Sequence, residues 1–323
     1  MDIGFQEIKH NLTLKESLEK KVIAYYTDIW KDIRETDYQK WLANFKGDEQ
    51  EKLNALYLLT KFTYFGNLEI RAMLKAIYRD LYKYPIIERI RRNNGDTTDE
   101  TFIKKQFKIH YNGTRFLGVG NPSESGVHLL YYFRQENNLP KTFFVHAYEL
   151  FTSTYSVEER RMIQTWAKDD IRHIVFLDDF CGDGSQAIIY LKDLVNHVKE
   201  LKDTCQVDYY VLVANRDGLK NVKKDVRIDC AKAVFELDES FKCFSDKSRY
   251  FANTKEGIDK AFCKELCEKY GTGRCKDAKS PLGFNGDELL LSFFHNTPNN
   301  SLPIFWTDVD WYPVFNRVIK IYK

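Results

Sequence analysis

From residue 114 onward, short apolar runs alternate with stretches of helical period, and this alternation restricts the fold more than any other feature of the chain. The runs are TRFLGVG (114–120), KTFFVHAYELF (141–151), RHIVFLDDF (172–180), VDYYVLVAN (207–215) and AKAVFEL (231–237). GVHLLYYFRQEN, SVEERRMIQTWAKDD and SQAIIYLKDLVNHVKEL lie between them and read as helices. Strands separated by helices of about 10–15 residues predict βαβ units and a parallel sheet. Runs so continuously apolar predict strands covered on both faces.

The region before them has a different texture. LTLKESLEKKVIAYYTDIWKDI, DEQEKLNALYLLTKFTYF and NLEIRAMLKAIYRDLYKY carry apolar residues at helical spacing, and Thr13 followed by Glu16 has the form of a capping box. Pro85 predicts a kink or restart in the last of these helices. The turn cluster NNGDTTDE (93–100) marks the expected boundary between an all-α N-terminal region, residues 1–105, and an α/β domain, residues 106–323. No internal repeat or low-complexity tract interrupts either part.

A hydrophobic fraction of 43% with 15% aromatic residues describes a folded chain with a solid core. The formal net charge of +2 is too small for the electrostatic footprint of a nonspecific nucleic-acid binder. ERIRRNN (88–94) and KKQFKIH (104–110) read as solvated helix faces. No stretch approaches the roughly 20 apolar residues that cross a bilayer. A polar N-terminus and seven cysteines, an odd number, predict reduced thiols and a cytoplasmic location. Cys263, Cys267 and Cys275 match no paired metal-binding spacing.

Chemistry concentrates in IRHIVFLDDFCGDGSQAIIYL, residues 171–191. In an open parallel sheet, ligands bind at the carboxyl ends of strands. Asp178 and Asp179 stand at such an end, and CGDGSQ (181–186) turns the chain into a helix whose positive end points at the same place. Bare phosphate would be repelled by the acids. A sugar phosphate arriving with Mg2+ satisfies both the acids and the amides. The turn is not a P-loop, because no lysine follows its second glycine. FLDDFCGDGSQ also matches the D-x-F-x-G-x-G loop of S-adenosylmethionine-dependent base methyltransferases, although the Asp/Asn-Pro-Pro-aromatic tetrapeptide of those enzymes is missing and NTPNN is no substitute. A third reading is an acidic strand end that caps a helix and binds nothing.

Four apolar residues, two acids, three further residues and a glycine turn resemble the ribose-phosphate loop of type I phosphoribosyltransferases. The strand order, the GVGNPSESG turn and the terminal FFHNTPNNSLPIFW segment together are similar to the phosphoribosyltransferase-like proteins of bacterial conflict and antiphage systems. The resemblance covers roughly residues 110–310 and implies a type I phosphoribosyltransferase-like α/β fold behind a helical extension. It assigns Asp178 and Asp179 to the ribose hydroxyls of phosphoribosyl pyrophosphate and, directly or through water, to Mg2+. It assigns the loop Cys181, Gly182, Asp183, Gly184, Ser185 and Gln186 to the 5-phosphate. Gly118, Gly120, Ser123, Ser125 and Gly126 fall in the turn facing pyrophosphate. The sequence departs from the family at Asp183 and Gln186, which replace threonine-like residues.

Two further segments are candidates. In ANRDG (214–218), Arg216 is placed to neutralise pyrophosphate, or Asp217 and Gly218 form a plain turn. In HNTPNN, His295 and Asn296 offer an imidazole and an amide to an acceptor, or belong to an Asx-rich turn. Trp306 and Phe305 nearby read as core or as a stacking wall, and His146 reads as core. The implied activity is pentosyl transfer to an acceptor the sequence does not identify, as an effector of antiphage defence. The alternatives are a methyltransferase and an inactive nucleotide-sensing module that docks a protein partner through its helical front.

Overall fold

The computed structural model describes residues 3–318 except 32, 122–123, 255 and 275–279, with side chains from residue 13 onward. Along the chain, helices α1 (Ile3–Ala24), α2 (Glu35–Leu42) and α3 (Glu49–Leu59) precede strand β1 (Thr63–Phe65) and helix α4 (Asn67–Ala76). Then follow α5 (Tyr84–Arg92), α6 (Glu100–Asn112), β2 (Thr114–Gly118), α7 (Ser125–Glu136), β3 (Phe151–Ser156) and β4 (Arg161–Trp166). The chain continues through β5 (His173–Cys181), α8 (Ser185–Leu201), β6 (Gln206–Asn215), α9 (Arg216–Asp225), β7 (Cys230–Leu237), α10 (Lys260–Gly271) and β8 (Leu291–Phe293). No helix among the described residues is long and apolar enough to cross a membrane.

The chain divides into two compact units, and not at the turn cluster. One unit joins residues 1–70 to 238–323, and the other is the continuous segment 71–237. The reason is a shared core. Trp41 of α2 stacks on Phe305 at 5.1 Å, and Phe62 stacks on Phe315 at 4.0 Å. The Trp41 indole N–H donates to the Ile304 carbonyl at 2.6 Å. β1 pairs in parallel with β8, Thr63 opposite Leu291. Residues more than 200 positions apart therefore bury one another, which local periodicity does not reveal. The helical N-terminal region before the sheet is as expected, with Pro85 in the first turn of α5 after a π-helical stretch at Ile77–Lys83. Thr13 lies within α1, which already begins at Ile3, and so does not start a helix.

The second unit is built on a parallel sheet in the order β2-β5-β6-β7. Its strands pair in register, Gly118 opposite Leu177 and Asp178 opposite Val211. Outside β2 a single parallel bridge joins Phe116 to Phe144. This is all that remains of the strand expected over 141–151, because 3-10 turns at Lys141–Phe143 and Ala147–Leu150 break it on either side. SVEERRMIQTWAKDD is not a helix. Its middle, Arg161–Trp166, is β4, paired antiparallel with β3 from Phe151–Trp166 to Ser156–Arg161. The β-branched and aromatic residues of TSTYS and MIQTW favour the pleated form once they face each other.

Helices cover the sheet on both faces. Phe116 packs on Phe133 of α7 at 5.1 Å, whereas Leu117 and Phe176 share a cluster with Leu191 and Val195 of α8. The amino end of the sheet is closed by a buried polar chain. His110 Nε2 lies 3.0 Å from His173 Nδ1, and His173 Nε2 lies 2.9 Å from Asp208 Oδ2, which also accepts the Tyr210 hydroxyl at 2.6 Å. Burial first, then His173 and Arg89, pull the His110 imidazole down from 6.5 to about 4.

A depressed histidine contributes stability that is complete above pH 6.5 and is lost as pH falls toward 4. Denaturant unfolding is expected to show a loss of about 2 kcal/mol over that window, after allowance for the partial exposure of His110. His110→Gln is expected to flatten that part of the pH curve, and an unchanged curve in the variant refutes the assignment.

Candidate functional site

The strand order of the second unit reverses between β2 and β5. From β2 the chain passes outward through α7 to Phe144, and from β5 it passes the other way through α8 to β6. Such a switch point leaves a crevice outside the strand ends. Pairing with β2 reaches Gly118 opposite Leu177, and the Val119 N–H donates to the Leu177 carbonyl at 2.9 Å. Asp178 and Asp179 come next, at the mouth of that crevice.

The two acids are nearly covered, at 5% and 9% exposure. Strand alternation puts Asp178 on the face of Phe176 and α8, and Asp179 on the opposite face. Asp178 accepts the Asp179 N–H at 3.0 Å on one oxygen and the Tyr209 hydroxyl at 2.9 Å on the other. Asp179 accepts the Phe180 N–H at 2.8 Å. Burial, and then the charge of Asp179, push the Asp178 carboxyl well above the usual range. Asp178 therefore holds its proton more tightly than an ordinary carboxyl. Burial likewise pushes the Cys181 thiol up to about 12, so it is no nucleophile near neutral pH.

Beyond Cys181 the backbone turns through Gly184, whose φ of 86° suits glycine, into α8. Asp183 accepts both the N–H of Ser185 at 2.9 Å and its hydroxyl at 2.6 Å. The chain's own carboxylate thus sits on the first amide of α8, within the stretch assigned to a 5-phosphate. Gln186 reaches away from the turn and donates to Glu124 at 2.9 Å, and the Tyr190 hydroxyl donates to the other oxygen of Glu124 at 2.9 Å.

These contacts join the 181–186 loop to the 118–126 turn. Gly118 and Gly126 meet so closely that a Cβ on Gly118 would stand 2.6 Å from the Gly126 backbone. Gly120 has a φ of 101°, and Ser125 is the first residue of α7. Ser123 lies outside the described residues. On the other side, a Cβ on Gly218 of α9 would stand 2.0 Å from the Gly182 carbonyl oxygen, and Asn221 donates to the Asp183 carbonyl at 3.0 Å. Arg216 opens α9, half exposed, with Nε 3.6 Å from Glu236.

The structure therefore brings together three of the four segments marked in the sequence. His295 and Asn296 belong to the first unit. There His295 stacks on Phe293 at 5.5 Å, and Asn296 exchanges backbone hydrogen bonds with Phe293. Sequence reasoning missed Tyr209, Glu124 and Asn221. The glycine after Arg216 was a visible signal for α9, but its partner across the loop was not.

The fit of Mg2+ is narrow. Among the described residues, no group of three His, Cys, Asp or Glu side chains is arranged to hold a metal ion. Asp178 is a poor ligand, because both its oxygens already accept hydrogen bonds and burial works against its charged form. Mg2+ in phosphate sites is held by one or two carboxylates together with substrate phosphates and water, so Asp179 with the ligand's own oxygens is the set that fits.

A family model described as PRTase-CE matches residues 38–317. No curated protein matches the chain. Among solved structures it is similar to the xanthine-guanine-hypoxanthine phosphoribosyltransferase of Helicobacter pylori, at 8% identity over 55% of this chain and 92% of that one, with a TM-score of 0.24. It is also similar to the AQ2163 protein from Aquifex aeolicus, at 10% identity over 71% and 95% with a TM-score of 0.27. Orotate phosphoribosyltransferase from Aeropyrum pernix matches at 12% identity over 41% and 72%, with a TM-score of 0.23.

The loop geometry depends on Gly218. Gly218→Ala is expected to lower stability by about 1–3 kcal/mol, since the new methyl runs into the Gly182 backbone and crowds the buried Cys181 sulfur. Denaturant unfolding checks this, and a change below about 0.5 kcal/mol means the loop is not held as described.

Proposed function

The chain belongs to the PRTase-CE family, a phosphoribosyltransferase-like family, and on that premise we propose that it transfers a pentosyl group from phosphoribosyl pyrophosphate, or a related ribose-phosphate nucleotide, to an acceptor. The observation that carries this reading is the position of Asp178 and Asp179 at the switch point, between the turns at 118–126 and 181–186. Asp179 takes the ribose hydroxyls. Asp178 acts through it, holding its backbone amide while keeping a buried carboxyl beneath the ring.

Pentosyl transfer breaks the bond from C1 to the pyrophosphate oxygen, which leaves with the electron pair. The ring oxygen shares electrons with C1, and positive charge grows on the ring until the acceptor atom bonds to C1. A carboxylate beside the ring stabilises that charge, and fixed N–H groups stabilise the leaving group. The Gly118–Gly126 turn and Arg216 are assigned to pyrophosphate, and the 181–186 backbone with the Ser185 hydroxyl to the 5-phosphate. When bound, Mg2+ neutralises the departing diphosphate. Positioning supplies most of the acceleration, so no covalent nucleophile is required.

Asp183 works against this ligand, because its carboxylate already satisfies the first amide of α8. That observation favours one second reading, a module that binds a nucleotide without turnover. In either case the resemblance to antiphage proteins supports a role as a defence effector. A phage challenge of cells carrying the native chain or Asp179→Asn tests that role, with equal plaque counts ruling it out.

Calorimetry of the full chain with phosphoribosyl pyrophosphate and Mg2+ is expected to give heat. Asp179→Asn is expected to weaken that binding by about tenfold or more, and Asp183→Thr to tighten it by about tenfold. Heat from neither the native chain nor Asp183→Thr, or binding of S-adenosylmethionine without metal, overturns the reading.

A further inference from the structure

A cavity of about 380 Å³ opens beside the crevice in the second unit. Leu117 of β2 and Phe176 of β5 form its floor. Leu191 and Leu194 of α8 form one wall, and Val145 and Ala147, just past the Phe144 bridge, line it as well. Among the described residues, no charged side chain lines it. The polar side chains among its described lining are His146, which is exposed, and Tyr190, whose hydroxyl is turned to Glu124.

Three properties point to a ligand. The volume lies within the range of small-molecule sites, about 300–1,000 Å³. Leu194, Val145 and Ala147 pack against the core yet stay only half-buried, because the cavity leaves one side of each uncovered. The cleft is open to solvent, and water in it would meet few hydrogen-bonding side chains. The cavity also touches the crevice. Gly118 and Gly120 line both, and Phe176 precedes Asp178 by two residues on the same strand face, roughly 6.6 Å along the strand.

We propose that this cavity binds an uncharged hydrocarbon group, alkyl or aryl, carried by the pentosyl acceptor. The inference rests on the transfer reading and adds to it the acceptor's chemical class. A heterocycle with several polar edge atoms surrenders its hydrogen bonds to water on entry and meets few polar side chains in exchange, whereas a hydrocarbon gains with every apolar surface it covers. A lining of mixed aliphatic and aromatic side chains selects against charge and imposes little preference on shape. The site is therefore selective for apolar character and tolerant of form.

Ligand-observed NMR on the full chain tests this with 1-hexanol, indole and adenine as probes. At least one of hexanol and indole is expected to bind about tenfold tighter than adenine. Which of the two binds more tightly separates an alkyl from an aryl group. Leu194→Trp fills the cavity from α8 and is expected to abolish that binding while leaving the calorimetric response to phosphoribosyl pyrophosphate unchanged. Val145→Trp fills it from the other wall and serves if the first variant fails to fold by circular dichroism. Adenine binding as tightly as both hydrocarbons, or hydrocarbon binding that survives in a folded filled variant, overturns the proposal. If hydrocarbon selectivity and its loss both hold while phosphoribosyl pyrophosphate gives no heat, the hydrocarbon site stands and the transfer reading alone falls.

Discussion

The second unit depends on backbone meeting backbone without side chains between. Gly118 against Gly126 seats α7 on the end of β2, and Gly182 and Gly184 against Gly218 seat the acidic loop on α9. Any Cβ at these points would separate a helix start from a strand end. The loops that flank the two acids are therefore set by contacts with little freedom to adjust, which is what a positioning site requires. Glu124 adds a polar tie, holding Gln186 and Tyr190 of α8 from the α7 side.

Within that frame the two acids have different environments. Asp178 is enclosed by Tyr209 and the Asp179 amide and tends to keep its proton, whereas Asp179 faces the other side of the sheet. Adjacent identical residues thus meet different surroundings because a strand turns each to an opposite face. Asp183 is a third acid with a different task again, satisfying the helix start from within the chain. The acidic pair and the glycine turn after it are thus distinct in what they bond, the pair to strand neighbours and Asp183 to the first turn of α8.

Much of this was legible in the sequence. β5 and β6 stood out because they are buried on both faces and so are apolar throughout, and the acid pair stood out because it ends such a run. What stayed hidden needed pairing information. MIQTW is compatible with helix or strand until TSTYS lies beside it. Tyr209 is one apolar residue among many until the β5–β6 register sets it under Asp178. The core that joins residues 14–64 to residues 243–315 has no local signature at all. His295 and Asn296 looked like a ligand loop because Asn-rich turns and binding loops share a composition, and in the structure they close a turn of the first unit.

The interrupted first unit has a consequence for how the chain acquires its shape. Residues 71–237 form one uninterrupted stretch, so everything that unit needs has left the ribosome once residue 237 emerges. The opening seventy residues have no such independence, for the aromatic half-core around Trp41 and Phe62 waits on Phe305 and Phe315. During synthesis the middle can settle first while the amino-terminal helices remain unfinished and sticky. Nascent chains stalled before their last eighty residues should accordingly be the ones that chaperones hold longest.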